Sequence, residues 1–235
     1  MKRHLFVTTI LILSASYGQI NISTGKNKIT GKHSENITVI NTTNSEKIIP
    51  ENYSELKESP ANGRKMQRII ADLDNDKIAD TALIVQNKNN FADYLLLIYL
   101  TRQNTTYRLK LIDNFSPDIN LFPVQLKIRN NVLEVGYFSD GTAAFGRFFK
   151  FRFDETKNKM RLIGYDSSYR ITERHCNKSY NLINGTYIVK LQKSIPKNHT
   201  ETFKGKKVIN NIYIDDINIE TLNIIDEIGN EFEPK

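Results

Sequence analysis

Ala71-Asp72-Leu73-Asp74-Asn75-Asp76-Lys77-Ile78-Ala79-Asp80, running into Thr81-Ala-Leu-Ile-Val-Gln86, is the stretch on which the fold turns. The segment Met66 to Asp72 predicts a strand entering an acidic loop, and Thr81 to Gln86 a strand leaving it. Carboxylates stand at relative positions 1, 3, 5 and 9, and the backbone carbonyl of Ile78 at position 7. A tight loop with that spacing aims several oxygens at one centre, which is how a protein holds the hard cation Ca²⁺. Without a cation the same carboxylates repel one another, and the segment is then a solvated acidic turn. An EF-hand is excluded. It needs flanking helices and a bidentate Glu at position 12, where this chain has Leu83. Lys77 takes position 6, where a calcium loop has glycine. A positive φ at a lysine costs on the order of 1 kcal/mol, and its ammonium weakens cation binding. A dissociation constant of roughly 10⁻⁴ to 10⁻³ M is therefore expected, as for extracellular modules.

Outward from the loop the pattern stays β. Tyr94-Leu-Leu-Leu-Ile-Tyr-Leu100 is a continuous apolar run of strand length, which predicts burial on both faces. Tyr107 to Ile112, Val124 to Ile128 and Val132 to Phe138 alternate. Arg129-Asn130-Asn131 between the last two suits a tight hairpin, because Asn tolerates positive φ. Phe149, Phe151 and Phe153 alternate with Lys150 and Arg152, an aromatic ladder that reads as the core face of a strand rather than a ligand platform. Asp154 to Asn158 is a turn, and Met160 to Tyr165 the returning strand. Asn184-Gly185 introduces a strand at Thr186 to Gln192, and Val208 to Ile214 is strand-like again. Glu220 to Ile228 is a short helix or a last strand. Strands at this spacing predict an all-β, mostly antiparallel domain: a sandwich, a barrel or a single curved sheet.

Lys2-Arg3, an apolar stretch at Leu5 to Leu13 and small residues up to Gly18 have the order of a secretory signal peptide, with cleavage before Gln19. The apolar part is too short to span a bilayer, and no later segment is long and apolar enough. Residues 19–47 are rich in Asn, Ser, Thr and Lys and read as a flexible polar leader. Residues 48–235 form the β-rich domain. The protein is thus expected to be exported, to a periplasm or beyond it. Removing residues 1–18 leaves 217 residues and lowers the formal net charge from +7 to +5. The basic residues are scattered, which favours solubility over nucleic-acid binding. Cys176 is the only cysteine, so no internal disulfide can form.

Beside these readings, Asp72-Leu-Asp-Asn-Asp-Lys-Ile-Ala-Asp80 followed by Thr81 to Val85 resembles the calcium loop and strand of FG-GAP/VCBS-type repeats of integrin-like propellers. Pro50-Glu-Asn-Tyr53, Phe148 to Phe153 and Leu162 to Ser167 extend the resemblance to small exported bacterial proteins carrying one such loop, over residues 48–190. The resemblance implies Asp72, Asp74, Asp76 and Asp80 as ligands, with Ile78 through its carbonyl, and Lys77 departs from its pattern. It implies no activity. One loop in 217 residues does not make a complete propeller.

Three functions compete. The first is a non-catalytic exported binding or structural module with a Ca²⁺-stabilised loop. The second is a periplasmic inhibitor or immunity-type protein with a protein partner. The third is an envelope glycan hydrolase using two of Asp140, Asp154, Glu155, Asp166 and Glu173. Against other chemistry, no Gly-x-Ser-x-Gly elbow accompanies His175 or His199, and one Cys with scattered His gives no zinc spacing.

Overall fold

Antiparallel pairing draws the chain into two sheets in a sandwich-like, all-β arrangement, and neither sheet closes into a barrel. The structure is a computed structural model that describes residues 48–111, 122–139, 145–171, 174–193 and 199–233. The expected signal peptide and leader lie outside the described residues, as do Asp140 and Glu173.

The smaller sheet has five strands: β1 (Tyr53–Glu55), β2 (Ile69–Ala71), β3 (Asp80–Asn87), β4 (Tyr94–Leu100) and β5 (Thr105–Leu111). β3 pairs with β4 on one side and with both β1 and β2 on the other. The larger sheet is a meander of β6 (Phe122–Arg129), β7 (Val132–Ser139), β8 (Phe145–Asp154), β9 (Lys159–Ile171), β10 (Arg174–Asn181), β11 (Thr186–Lys193) and β12 (Thr200–Lys206). β13 (Ile212–Tyr213) pairs with β9 where β10 has ended. Pro123 stands on the edge strand β6 beside a register shift, the kind of place where a sheet tolerates proline.

The local chemistry accounts for these elements. Asn130 (φ 50°) and Asn131 (φ 56°) turn the chain between β6 and β7 in the left-handed region, as a two-residue hairpin requires. Tyr94, Leu96, Ile98 and Leu100 face a core shared with the large sheet, while Leu97 and Tyr99 face a second cluster with Ile48, Leu83 and Val85. This two-sided burial is what the unbroken apolar run predicts. Phe149 and Phe151 are fully buried in the shared core and Phe153 packs against it, so the aromatic ladder is a core face.

Two expectations need correcting, three strands had not been anticipated, and one open alternative resolves. Only Ile69–Ala71 of the Met66–Asp72 segment is strand, because the acidic loop begins at once. Only Ile212–Tyr213 of the Val208–Ile214 segment pairs. Ile214 instead opens a 3₁₀ turn, with Asp216 accepting from the Tyr213 N–H. β1, β10 and β12 gave no apolar signal, and β12 (Thr-Glu-Thr-Phe-Lys-Gly-Lys) is a polar edge strand. The ambiguous tail resolves as α1 (Ile219–Asp226), capped by Asn218, whose side chain accepts from the Thr221 N–H. Leu222, Ile225 and Ile228 carry that tail into the shared core.

Candidate metal centre

The acidic loop occupies the connection between β2 and β3, and two other parts of the chain hold it. From the turn between β4 and β5 come Thr101, Arg102 and Gln103. From the hairpin tips of the large sheet come Asn131, which donates to Asn75 at 2.9 Å, and Glu155, which accepts from Asn75 at 3.2 Å. Asn75 (φ 64°) and Lys77 (φ 68°) both adopt left-handed backbone, so the strain expected at Lys77 is present. Leu73 points the other way, 2% exposed in the shared core.

This geometry gathers Asp72, Asp74 and Asp80, each offering an oxygen within 4.8 Å of the others. Two oxygens on opposite sides of one Ca²⁺ stand at most about 5.2 Å apart, so the group fits inside a calcium shell. Every oxygen of the three carboxylates carries one N–H donor. Asp72 accepts from the Asp76 and Lys77 amides, and Asp74 from the Asp76 amide and the Gln103 side chain. Asp80 accepts from the amides of Leu73 (2.9 Å) and Thr101 (2.8 Å). A carboxylate oxygen accepts two hydrogen bonds, so each of the six keeps a lone pair available to a hard cation. The donor set therefore fits a hard cation.

Electrostatics agree. Asp80 is completely buried. Burial pushes its carboxyl up to about 6, against the pull of its two amide donors, with Asp74 and Asp76 adding repulsion. Asp74 is also raised, first by burial and then by the charge of Asp76.

Asp76 itself falls outside the gathered group. Its Oδ1 accepts from the Ile78 amide at 2.7 Å, and its Oδ2 pairs with Arg102 Nε at 3.1 Å. Asp76 is thus turned towards the exposed Arg102, while its charge still bears on Asp74 and Asp80. Ile78 lies on the segment returning to Asp80. Sequence reasoning missed Thr101, Arg102 and Gln103, which lie more than twenty residues beyond the loop and carry no motif; only the β3–β4 register brings them back.

Among the described hydrolase candidates, Asp154 and Asp166 are not brought together. Asp154 pairs with Lys159, and Asp166 stands seven residues further along the same strand, about 23 Å at strand spacing. Two glycosidase carboxyls need about 5 to 9.5 Å. Asp154 accepts from Thr156 and from the Tyr213 hydroxyl, Glu155 accepts from Asn75, and Asp166 pairs with Lys150. Cys176 is fully buried and burial raises its thiol, the reverse of what a nucleophile needs. No protein-family model, curated protein or solved structure matches this chain.

Proposed function

We propose that this protein is an exported, non-catalytic β-rich binding module whose Asp72/Asp74/Asp80 loop is stabilised by Ca²⁺. One observation carries the reading. Three carboxylates, one wholly buried, converge with every oxygen preoriented by an N–H and none neutralised by a basic side chain within the group. Such an arrangement is costly unless a cation joins it. Oxygen-only donors and a flexible shell favour Ca²⁺ over transition metals. The role is structural, because the loop links β2 to β3 and sits against the hairpin tips of the large sheet.

The test is thermal unfolding of residues 19–235 in chelator, in Mg²⁺ and in Ca²⁺. With a dissociation constant near 1 mM, 10 mM Ca²⁺ adds about 1.4 kcal/mol, a rise of roughly 3–6 °C for a domain of this size. Asp74→Asn keeps an acceptor for the Asp76 amide but removes a charge, and should abolish the rise while leaving the fold. An unchanged midpoint in Ca²⁺ would refute the metal assignment.

A further inference from the structure

The outward face of the large sheet carries a feature that the scattered charges of the sequence conceal. Directly opposite residues in an antiparallel pair share a face. The registers therefore set Phe148, Asp166, Ser179, Ile188 and Lys204 in one cross-strand row. Gly146, Ser168, Asn177, Lys190 and Thr202 form the row beside it. The small side chains at the centre leave an open groove of about 370 Å³. Phe148 walls one side, lying so close over Gly136 that a Cβ there would come within 2.3 Å of its ring. Ile188 and Lys190 wall the other, and Asp166, Ser168 and Asn177 form the floor.

The charge on this face is one-sided. Glu134 is paired to Lys127 at 3.0 Å and Asp166 to Lys150 at 2.6 Å. Arg170, Lys190, Lys204 and Lys206, on the same face and exposed, have no carboxylate partner among the described residues. Phe148 covers Gly136 across the β7–β8 pair, as aromatic residues do over sheet glycines, so what marks this face for a ligand is its unpaired cations and polar floor.

We propose that the groove binds an extended acidic glycan of the uronate class, with sugar hydroxyls on the floor and carboxylates at Lys190 and Lys204. The inference rests on the reading of the chain as a binding module and names its ligand. The groove is too open to engulf a small molecule, which suits a polymer lying across the strands. Asp166 is paired to Lys150 and accepts from the Ser179 hydroxyl, so its remaining lone pairs receive sugar hydroxyls without setting a free negative charge in the groove. A single aromatic wall lacks the successive stacking platforms that single-stranded nucleic acid uses. Phe148 offers the apolar surface against which a sugar face packs.

The experiment is titration of residues 19–235 with polygalacturonate, heparin, neutral dextran and a single-stranded oligonucleotide, at low and at about 150 mM salt. Polygalacturonate should bind saturably at both. Lys190→Glu with Lys204→Glu should weaken it at least tenfold, and Asn177→Ala several-fold. Lys88→Glu, in the turn between β3 and β4, should leave it unchanged. Absence of polygalacturonate binding at the higher salt would overturn the proposal. So would binding no tighter than that of heparin or the oligonucleotide, or indifference to Asn177→Ala, either of which marks plain polyanion adsorption. The Ca²⁺ melt on the same preparation separates the two readings. A calcium-dependent midpoint without glycan binding removes the groove alone, and glycan binding without a calcium shift removes the metal alone.

Discussion

Asp80 and Lys77 set the energetics of the acidic loop in opposite ways. Asp80 titrates near 6 in the folded, metal-free chain but near 3.9 when unfolded. A raised carboxyl means that the folded state binds the proton more tightly. Its contribution is then fully present below about pH 4 and is lost as pH rises through 6. In chelator, urea unfolding should show higher stability at pH 5 than at pH 7.5. Saturating Ca²⁺ should narrow or reverse that order, since the metal displaces the proton. A metal-free protein at least as stable at pH 7.5 would show that Asp80 is not the strained group. Lys77 holds φ 68°, which costs a side-chain-bearing residue about 1–2 kcal/mol. Lys77→Gly removes that strain, loses about 0.5–1 kcal/mol of it to unfolded-state entropy, and takes an ammonium from the loop. A gain of about 0.5 kcal/mol in chelator and a severalfold tighter Ca²⁺ midpoint are expected from paired denaturation and calcium titrations. Weaker calcium binding in Lys77→Gly would mean that the lysine supports the loop.

At the scale of elements, legibility followed apolar pattern and turn chemistry. β4 was readable from Tyr94–Leu100 to the residue, and the β6–β7 hairpin from Asn130-Asn131, because each depends on its own side chains. β10 and β12 were not, because polar strands are made by their neighbours: Cys176 and Val189 are buried only once β9, β10 and β11 align. The same limit applied to the site. The spacing of Asp72, Asp74 and Asp80 was legible, but the diversion of Asp76 to Arg102 depends on a turn across the sheet. The α1 segment was ambiguous for a related reason, as its place is fixed by buried polar partners. Arg147, fully buried on β8, pairs with Asp226 at 2.6 Å, and the Tyr165 hydroxyl donates to the same carboxylate. Lys178 of β10 meets the Asp226 carbonyl, Asn230 and Glu233. Removing one partner of a buried pair strands the other, which costs about 3–5 kcal/mol. Arg147→Met should destabilise the protein by about 3 kcal/mol in urea unfolding. Adding Asp226→Asn, which still accepts from Tyr165, should recover part of the loss. Additive losses in the double variant would instead mean that the two residues act separately.

For the whole molecule the question is whether the loop on one sheet governs the stability of the other. Leu73 of the loop, Ile84 and Leu96 of the small sheet and Val135 and Phe149 of the large sheet belong to one buried cluster. Asn75 ties the loop tip to Asn131 and Glu155 on the large sheet. If this continuous core unfolds as a unit, stabilisation at the loop reaches residues that never approach it. Cys176 reports on this. It is the only thiol, it is completely buried, and it lies with Val189 and Leu191 in a cluster of the large sheet. When opening and closing are fast, labelling of a buried group tracks the population of the open state. If Cys176 is exposed only by global unfolding, 10 mM Ca²⁺ should slow its reaction with a thiol reagent about tenfold, the kinetic equivalent of about 1.4 kcal/mol. Asp74→Asn should abolish the slowing. Labelling unchanged by calcium, in a protein whose midpoint calcium does raise, would show that the large sheet opens locally around β10 and β11. The metal would then hold only the small sheet.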